Sequence, residues 1–173
     1  MIVQEAPHQR IARAFDAAGV DIGVVDLAVL DLAAELMRCS QTGLWILEAG
    51  PNGRRMRLLA GWDGDARRPL QLPQVLQEHE FGAYFDALFA HGVFVSRDAL
   101  ADPVLASMRD NYLMPHDVRA LLDVAVSVNG GAQAVLCCEL RGATRDWQGS
   151  DIALARRIAT EIAVRRARAL GGG

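Results

Sequence analysis

Residues 112–147 read YLMPHDVRALLDVAVSVNGGAQAVLCCELRGATRDW. In the first half, every even position from 118 to 128 is apolar: Val118, Ala120, Leu122, Val124, Val126 and Val128. The odd positions mix Arg119, Leu121, Asp123, Ala125 and Ser127. Period-two alternation of this kind marks a strand with one face in a core. A second run alternates Ala132, Ala134, Leu136, Cys138 and Leu140 with Gln133, Val135, Cys137, Glu139 and Arg141. Paired residues of antiparallel strands share a face, so the turn must keep the two apolar sets together. A two-residue turn at Asn129-Gly130 pairs even with odd positions and mixes the faces. A three-residue loop, Asn129–Gly131, pairs Val128 with Ala132 and keeps them consistent, with Gly131 suited to the left-handed conformation such loops need. This register sets Asp123 opposite Cys137, with Glu139 diagonal to it, on the mixed face.

After Trp147, Ser150 is placed to cap a long helix, and Asp151 suits the positive end of its dipole. Ile152, Ala155, Ile158, Ala159, Ile162 and Ala163 form its buried stripe, and Arg165, Arg166 and Arg168 sit near its negative end. Upstream, residues 102–110 begin with Asp-Pro, an N-cap followed by proline at the first helical position. VFVS at 93–96 is a short strand, and FGAYFDALFA at 81–90 is a helix with Phe81, Tyr84, Phe85, Leu88 and Phe89 on one face. GLWILEA at 43–49 and Arg55–Trp62 make a hairpin across the turn GPNGR, and residues 63–73 read as loop. Residues 24–39 form a helix with two apolar stripes. One is Val25, Val29, Leu32, Leu36 and Cys39; the other is Leu27, Leu30, Ala34 and Met37. An ordinary surface helix has one such face, so this helix packs on a sheet and also on other helices, including those of a second subunit. Residues 7–18 form a weaker helix, with Ile11 and Phe15 four apart, interrupted at Gly19. The expected organisation is an N-terminal helical extension over 1–23, one domain over 24–170, and a flexible tail at 171–173.

Composition excludes several classes. The chain has 173 residues, 51% hydrophobic, which supports one real core. A net charge of −3 gives no electrostatic footprint for nucleic acid. No apolar run approaches the length of about 18 residues that a membrane span needs, and the N-terminus has no signal-peptide core. A cytoplasmic location is therefore expected. All 18 basic residues are arginine, so lysine Schiff-base and P-loop chemistry are excluded. Three cysteines without CxxC spacing argue against a disulfide framework or a zinc site, and no metal site is expected. No GxSxG, HExxH or dinucleotide-binding motif is present.

Four segments, in this order, carry a family resemblance: AYFDAL at 83–88, DALADP at 98–103, YLMPHDVRALLDVAV at 112–126, and AVLCCELRGATRDW at 134–147 running into the last helix. Together they make the chain resemble a GAF domain, of the kind found ahead of bacterial histidine kinases and diguanylate cyclases. The resemblance implies an α+β fold, GAF-like, with a central antiparallel sheet of five or six strands. Terminal helices pack on one face, and short helices and loops close a small-molecule pocket on the other. It also implies dimerisation through the terminal helices and an output domain in cis or trans. The chain departs from the family at Ala125, where proline is frequent, and at Leu140, where histidine is frequent in similar members. It lacks the NKxxF signature of cyclic-nucleotide-binding members. It has no cysteine between 103 and 116, where bilin-binding members attach their chromophore. No cofactor is assigned.

The candidate pocket residues are Tyr84, Phe85, Phe89, Asp98, Tyr112, His116, Asp123 and Cys137. Tyr84, Phe85 and Phe89 form an aromatic stripe that serves as core and as pocket wall. Asp98 follows a strand, as a polar anchor or a loop-ordering side chain. Tyr112 and His116 flank a Met-Pro turn over the pocket. Asp123 is a carboxylate in an apolar strand, so it requires a partner, and Arg119, Arg141 or Arg145 is expected to supply an ion pair. Cys137 and Cys138 are adjacent on a strand and point to opposite faces. Trp147 is expected against the sheet edge.

The function expected is a small-molecule-sensing regulatory module of a signal-transduction protein, homodimeric, without catalytic residues. Two alternatives stand beside it. One is a ligand-free dimerisation scaffold whose pocket its own side chains fill. The other is a free methionine sulfoxide reductase of the same fold, which needs a pocket thiolate and a resolving cysteine nearby.

Overall fold

The structure is a computed structural model and describes residues 5–17, 22–70 and 75–171. The expected break at Gly19, the Val25 side chain, residues 71–73 of the expected loop and the last two glycines lie outside what is described. Two helices open the chain, α1 (Pro7–Ala17) and α2 (Ile22–Met37). The β1–β2 hairpin follows (Gln41–Gly50, Gly53–Asp63), then two short strands, β3 (Arg68–Pro69) and β4 (Val75–Gln77). Helix α3 (Gly82–His91), strand β5 (Val93–Ser96), the β6–β7 hairpin (Val118–Val128, Gly131–Arg141) and helix α4 (Gly149–Gly171) complete it.

The sheet is antiparallel, in the order β3-β2-β1-β7-β6-β5, and β4 also pairs with β2. Strand β3 falls within the loop expected over 63–73, and β4 just after it. They are two and three residues long, and Pro69 can sit in a sheet only at an edge like this one. Among the described residues, no helix is long and apolar enough to cross a membrane.

The β6–β7 turn differs from the three-residue loop expected. Val128 pairs with Gly131, so the loop is two residues, and Asn129 (φ 52°) and Gly130 (φ 80°) both take the left-handed conformation of a type I′ turn. The extra residue appears further along as a bulge at Gln133, after which Val126 pairs with Ala134 and Asp123 with Cys137. The faces are matched by the bulge rather than by the turn. A second bulge at Arg119 moves Val118 off the even face, and its side chain packs with the opposite core.

Two cores result, one on each side of the sheet. Ile11, Phe15, Leu30, Met37, Ile158 and Ile162 of the helices meet Leu122, Val124, Leu136 and Cys138 on one face. Each such fully buried aliphatic side chain contributes about 1.5–3 kcal/mol. On the other face, Tyr84, Phe85 and Leu88 of α3 meet Trp45, Met56, Leu121 and Val135. Terminal helices and α3 are therefore segregated to opposite faces, as the family resemblance implies.

The helix ends are tied together by Arg145. Helix α2 ends with Arg38 in the left-handed conformation (φ 50°), with Arg38 N–H donating to Glu35 O and Cys39 N–H to Ala34 O. The Arg145 guanidinium donates to the free carbonyls of Met37 (2.6 Å) and Arg38 (3.0 Å) and to Asp151 Oδ1 (2.9 Å), and stacks on Trp147 at 4.1 Å. Trp147 Nε1 donates to Ser96 O of edge strand β5, as expected. Ser150 is not the cap of α4. The helix begins one residue earlier, and Asp151 reaches back to accept from Gln148 N–H at 2.8 Å. Asp102 does cap its helix, accepting from Val104 N–H at 3.0 Å. That helix is a 3-10 turn (Pro103–Met108) widening into a π turn (Arg109–Leu113) rather than an α-helix.

Candidate functional site

The odd face of β6 and β7 presents three polar residues to the α3 side of the sheet: Asp123, Cys137 and Glu139. Asp123 pairs directly with Cys137, and Glu139 follows two residues on, so the pleat puts all three on one face. Asp123 is 3% exposed and Glu139 8%. Helix α3 brings Tyr84 over the first carboxyl, and its hydroxyl donates to Asp123 Oδ2 at 2.6 Å. The π turn brings Tyr112 over the second, donating to Glu139 Oε2 at 2.7 Å. Gln41 of β1 donates to the same Glu139 oxygen, and Arg141 donates to Gln41 Oε1. Asp123 Oδ1 is buried and has no hydrogen-bond partner.

Asp123, Cys137, Glu139 and the two tyrosines line a cavity of about 20 Å³, walled also by Trp45, Leu76, Met108, Leu113 and Leu121. A second cavity of about 20 Å³ lies on the other side of Trp45, Tyr112, Cys137 and Glu139, reaching Gln41 and Leu58. Either holds about one water molecule. A much larger hollow, about 480 Å³, is an open groove on the helix-bearing face between α4 and the end of β6, rimmed by Asn129, Arg156, Thr160 and Val164. It is the largest of the three in volume, yet it encloses no buried titratable group. The chemistry lies in the small cavity.

Burial pushes the Asp123 carboxyl up to about 7, and the nearby Glu139 charge adds to this; the Tyr84 hydrogen bond and the neighbouring Cys137 thiol only partly offset both. Burial likewise raises Glu139, against Tyr112, Gln41 and Arg141, which favour its charged form. Burial holds Tyr84 and Tyr112 well above the usual phenol range, and each is raised further by the carboxylate it bonds. Burial, then the Asp123 charge, raises the Cys137 thiol. The ion pair expected for Asp123 does not form. Arg119 faces Asp98 at 3.8 Å, Arg141 pairs with Asp63 and Asp65, and Arg145 holds Asp151. Arg119 sits at a β-bulge, Arg141 at the end of β7 and Arg145 beyond it, each held by another carboxylate, and a tyrosine takes their place at Asp123.

Of the eight residues singled out, the cavity collects Tyr84, Tyr112, Asp123 and Cys137. Phe85 and Phe89 lie beneath α3 in the core instead, with ring centroids 5.9 Å apart under the Arg54 guanidinium, which Glu78 holds at 2.6 Å. Asp98 sits beyond β5, where its carbonyl accepts from Ala101 N–H and its carboxyl faces Arg119; it does not reach the cavity. His116 packs its ring on Tyr112 (centroids 5.1 Å) outside the cavity. Sequence reasoning missed Trp45, Gln41 and Glu139 as lining. Glu139 was within reach, since period two from Cys137 places it on the same face. Trp45 and Gln41 depend on the β1–β7 pairing, Trp45 opposite Val135 and Gln41 opposite Glu139, which no local pattern encodes.

The family model described as "GAF domain" matches residues 24–165. No curated protein matches the chain. Solved structures with the same fold include the phycoerythrobilin-bound GAF domain from a cyanobacterial phytochrome, at TM-score 0.75 and 13% identity, covering 98% of this chain and 99% of that one. The GAF domain from an Acinetobacter phosphoenolpyruvate-protein phosphotransferase gives 0.70 and 14%, covering 96% of each. Residues 122 to 287 of a methyl-accepting chemotaxis protein give 0.65 and 16%, covering 95% of this chain and 96% of that one.

Proposed function

The chain belongs to the GAF domain family, and from that premise we propose that it is the small-molecule-sensing regulatory domain of a signal-transduction protein. The observation that carries this reading is the buried cavity with Asp123 and Glu139 in its wall. An interior pocket with a few convergent polar groups is the usual form of a small-molecule site, and a scaffold has no need of two buried carboxyls. The similar structures come from sensory and signalling proteins, which agrees with this reading. The domain acts in the cytoplasm, as a homodimer joined through its terminal helices, and controls an output domain such as a histidine kinase or diguanylate cyclase in cis or trans. A ligand larger than water displaces the 3-10 and π turns at 103–113, whose Met108, Tyr112 and Leu113 close the cavity.

The role is regulatory rather than catalytic. A reductase of this fold needs a reactive thiolate and a resolving cysteine. Burial raises the Cys137 thiol, and Cys39 and Cys138 belong to the core on the other side of the sheet. A bilin such as that named for the phytochrome neighbour does not fit these residues either. No cysteine lies between 103 and 116, and the cavity measures about 20 Å³. That same small volume favours a second reading, a ligand-free dimerisation scaffold.

A thermal-shift screen against a metabolite library separates the two, because a ligand that binds only the folded state raises Tm. At least one compound raising Tm supports the sensor. A library that moves nothing supports the scaffold. Sedimentation equilibrium tests the dimer, and a monomer at high micromolar concentration overturns it.

A further inference from the structure

We propose that the cavity beneath Tyr84 and Tyr112 is a cation site, which takes the primary ammonium group of a small organic amine between Asp123 and Glu139. The inference rests on the sensor reading above and names the ligand class for that site. It starts from an oxygen of Asp123 that the fold leaves unserved. Asp123 is 3% exposed, Tyr84 serves its Oδ2, and Oδ1 has no donor. A buried carboxylate oxygen without a donor is costly, and here it belongs to a residue that lines a cavity. Glu139 stands in the same wall, where Tyr112 and Gln41 both donate to its Oε2.

The chain brings no cation of its own to Asp123 among the described residues. Arg119, Arg141 and Arg145 are each engaged elsewhere, and Arg141 reaches Glu139 only through Gln41. An anionic ligand would add charge beside two carboxyls already held up by burial, Asp123 also by the Glu139 charge. A cation offsets both. Size narrows the choice. About 20 Å³ admits a water-sized group, and an alkylammonium head is of that size and carries three donors. Trp45, Tyr84 and Tyr112 add aromatic side chains to the lining. The alkyl remainder leaves past Met108 and Leu113 of the 103–113 segment.

Binding is coupled to protons. The groups facing Asp123 are Tyr84 from α3, Cys137 and Glu139 from β7, and Phe94 opposite it on β5. With Asp123 near 7 in the empty site, the cation must first displace its proton, so affinity falls as pH drops. The loss is about tenfold between pH 8 and pH 6.

The test uses the full chain with n-butylammonium chloride, butan-1-ol and sodium butyrate, read by thermal shift and calorimetry at pH 6 and pH 8. Butylammonium alone is expected to raise Tm, with binding about tenfold weaker at pH 6. Asp123→Asn and, independently, Glu139→Gln are expected to weaken it by about tenfold or more. Butanol or butyrate matching butylammonium overturns the cation site, as does unchanged butylammonium binding in both variants. Either result leaves the sensor reading standing. That reading falls with it only if no compound of any charge in a metabolite library raises Tm.

Discussion

Replacing Asp123 by asparagine changes stability with a sign that depends on pH. The Asp123 carboxyl titrates near 3.8 in an exposed chain and is pushed up to about 7 in the fold. Between those values the unfolded chain has released the proton and the folded chain retains it. The folded state then binds more protons, so its stability falls as pH rises. Three units at about 1.4 kcal/mol each give about 4 kcal/mol, fully present below pH 4 and lost as pH rises through 7. Asparagine does not titrate. Its Oδ1 can keep the Tyr84 hydrogen bond, and its amide then points where Asp123 Oδ1 now lies unpartnered, at a cost of about 1–3 kcal/mol. Asp123→Asn is therefore less stable than wild type by about 1–3 kcal/mol at pH 4 and more stable by a similar amount at pH 8.5. For a chain of this length that is a Tm difference of roughly 5 °C in each direction. Urea melts of the two proteins from pH 4 to pH 8.5 give the difference curve, in which the titrating groups not coupled to Asp123 cancel. Two parallel stability curves, or a variant destabilised equally at every pH, would refute the reasoning, because Asp123 would then be ionised and satisfied.

Tyr84→Phe removes the hydroxyl that serves Asp123 Oδ2. It is expected to cost about 1–3 kcal/mol and to push the carboxyl higher still, so that the pH-dependent loss extends further upward in the same melts. Both tyrosines of the chain should stay protonated above pH 10 until the protein unfolds, as spectrophotometric titration of tyrosinate would show; a phenol ionising near 10 in the folded state contradicts its burial. Arg145→Ala strips the carbonyls of Met37 and Arg38, Asp151 and the Trp147 face of one shared partner. A loss of about 2 kcal/mol and faster amide exchange at 37–39 and 148–152 are expected, whereas a loss confined to one of these segments would show that Arg145 does not join them. Phe85→Ala, fully buried beneath Arg54, should cost about 3–5 kcal/mol in denaturant melts while leaving ligand response intact, since Phe85 does not line the cavity.

The β6–β7 register was legible because one face of each strand is apolar almost throughout, and burial enforces that alternation. The turn that joins them was not. Asn129-Gly130 is a strong type I′ signal, but a bulge at Gln133 absorbs the odd residue, and a bulge leaves little trace in a local pattern. The placement of Asp123 opposite Cys137 came through intact because it depends on the faces and not on the loop. Its partner did not. A sequence shows two arginines on the same hairpin as Asp123 and a third just after it, while the tyrosine that binds it comes from α3, 39 residues away. Phe85 and Phe89 look like pocket residues for the same reason that they are core: the apolar stripe of a helix reports which side is buried, not whether a cavity lies beyond it. The segregation of terminal helices from α3 was legible through the family resemblance. Strands β3 and β4 were not, since edge pairing of two or three residues needs no hydrophobic pattern.

Tyr84 and Tyr112 are the two tyrosines of the chain, and each donates to one buried carboxyl of the cavity. Tyrosine-selective labelling therefore yields two ring resonances that report on the site. The most direct test of the sensing claim is to titrate so labelled protein with each compound that raises Tm. Both tyrosine resonances are expected to move in a saturable way with ligand, and the response is expected to be lost in Asp123→Asn. Tyrosine resonances that stay in place while Tm rises would put the ligand elsewhere on the molecule and contradict the account.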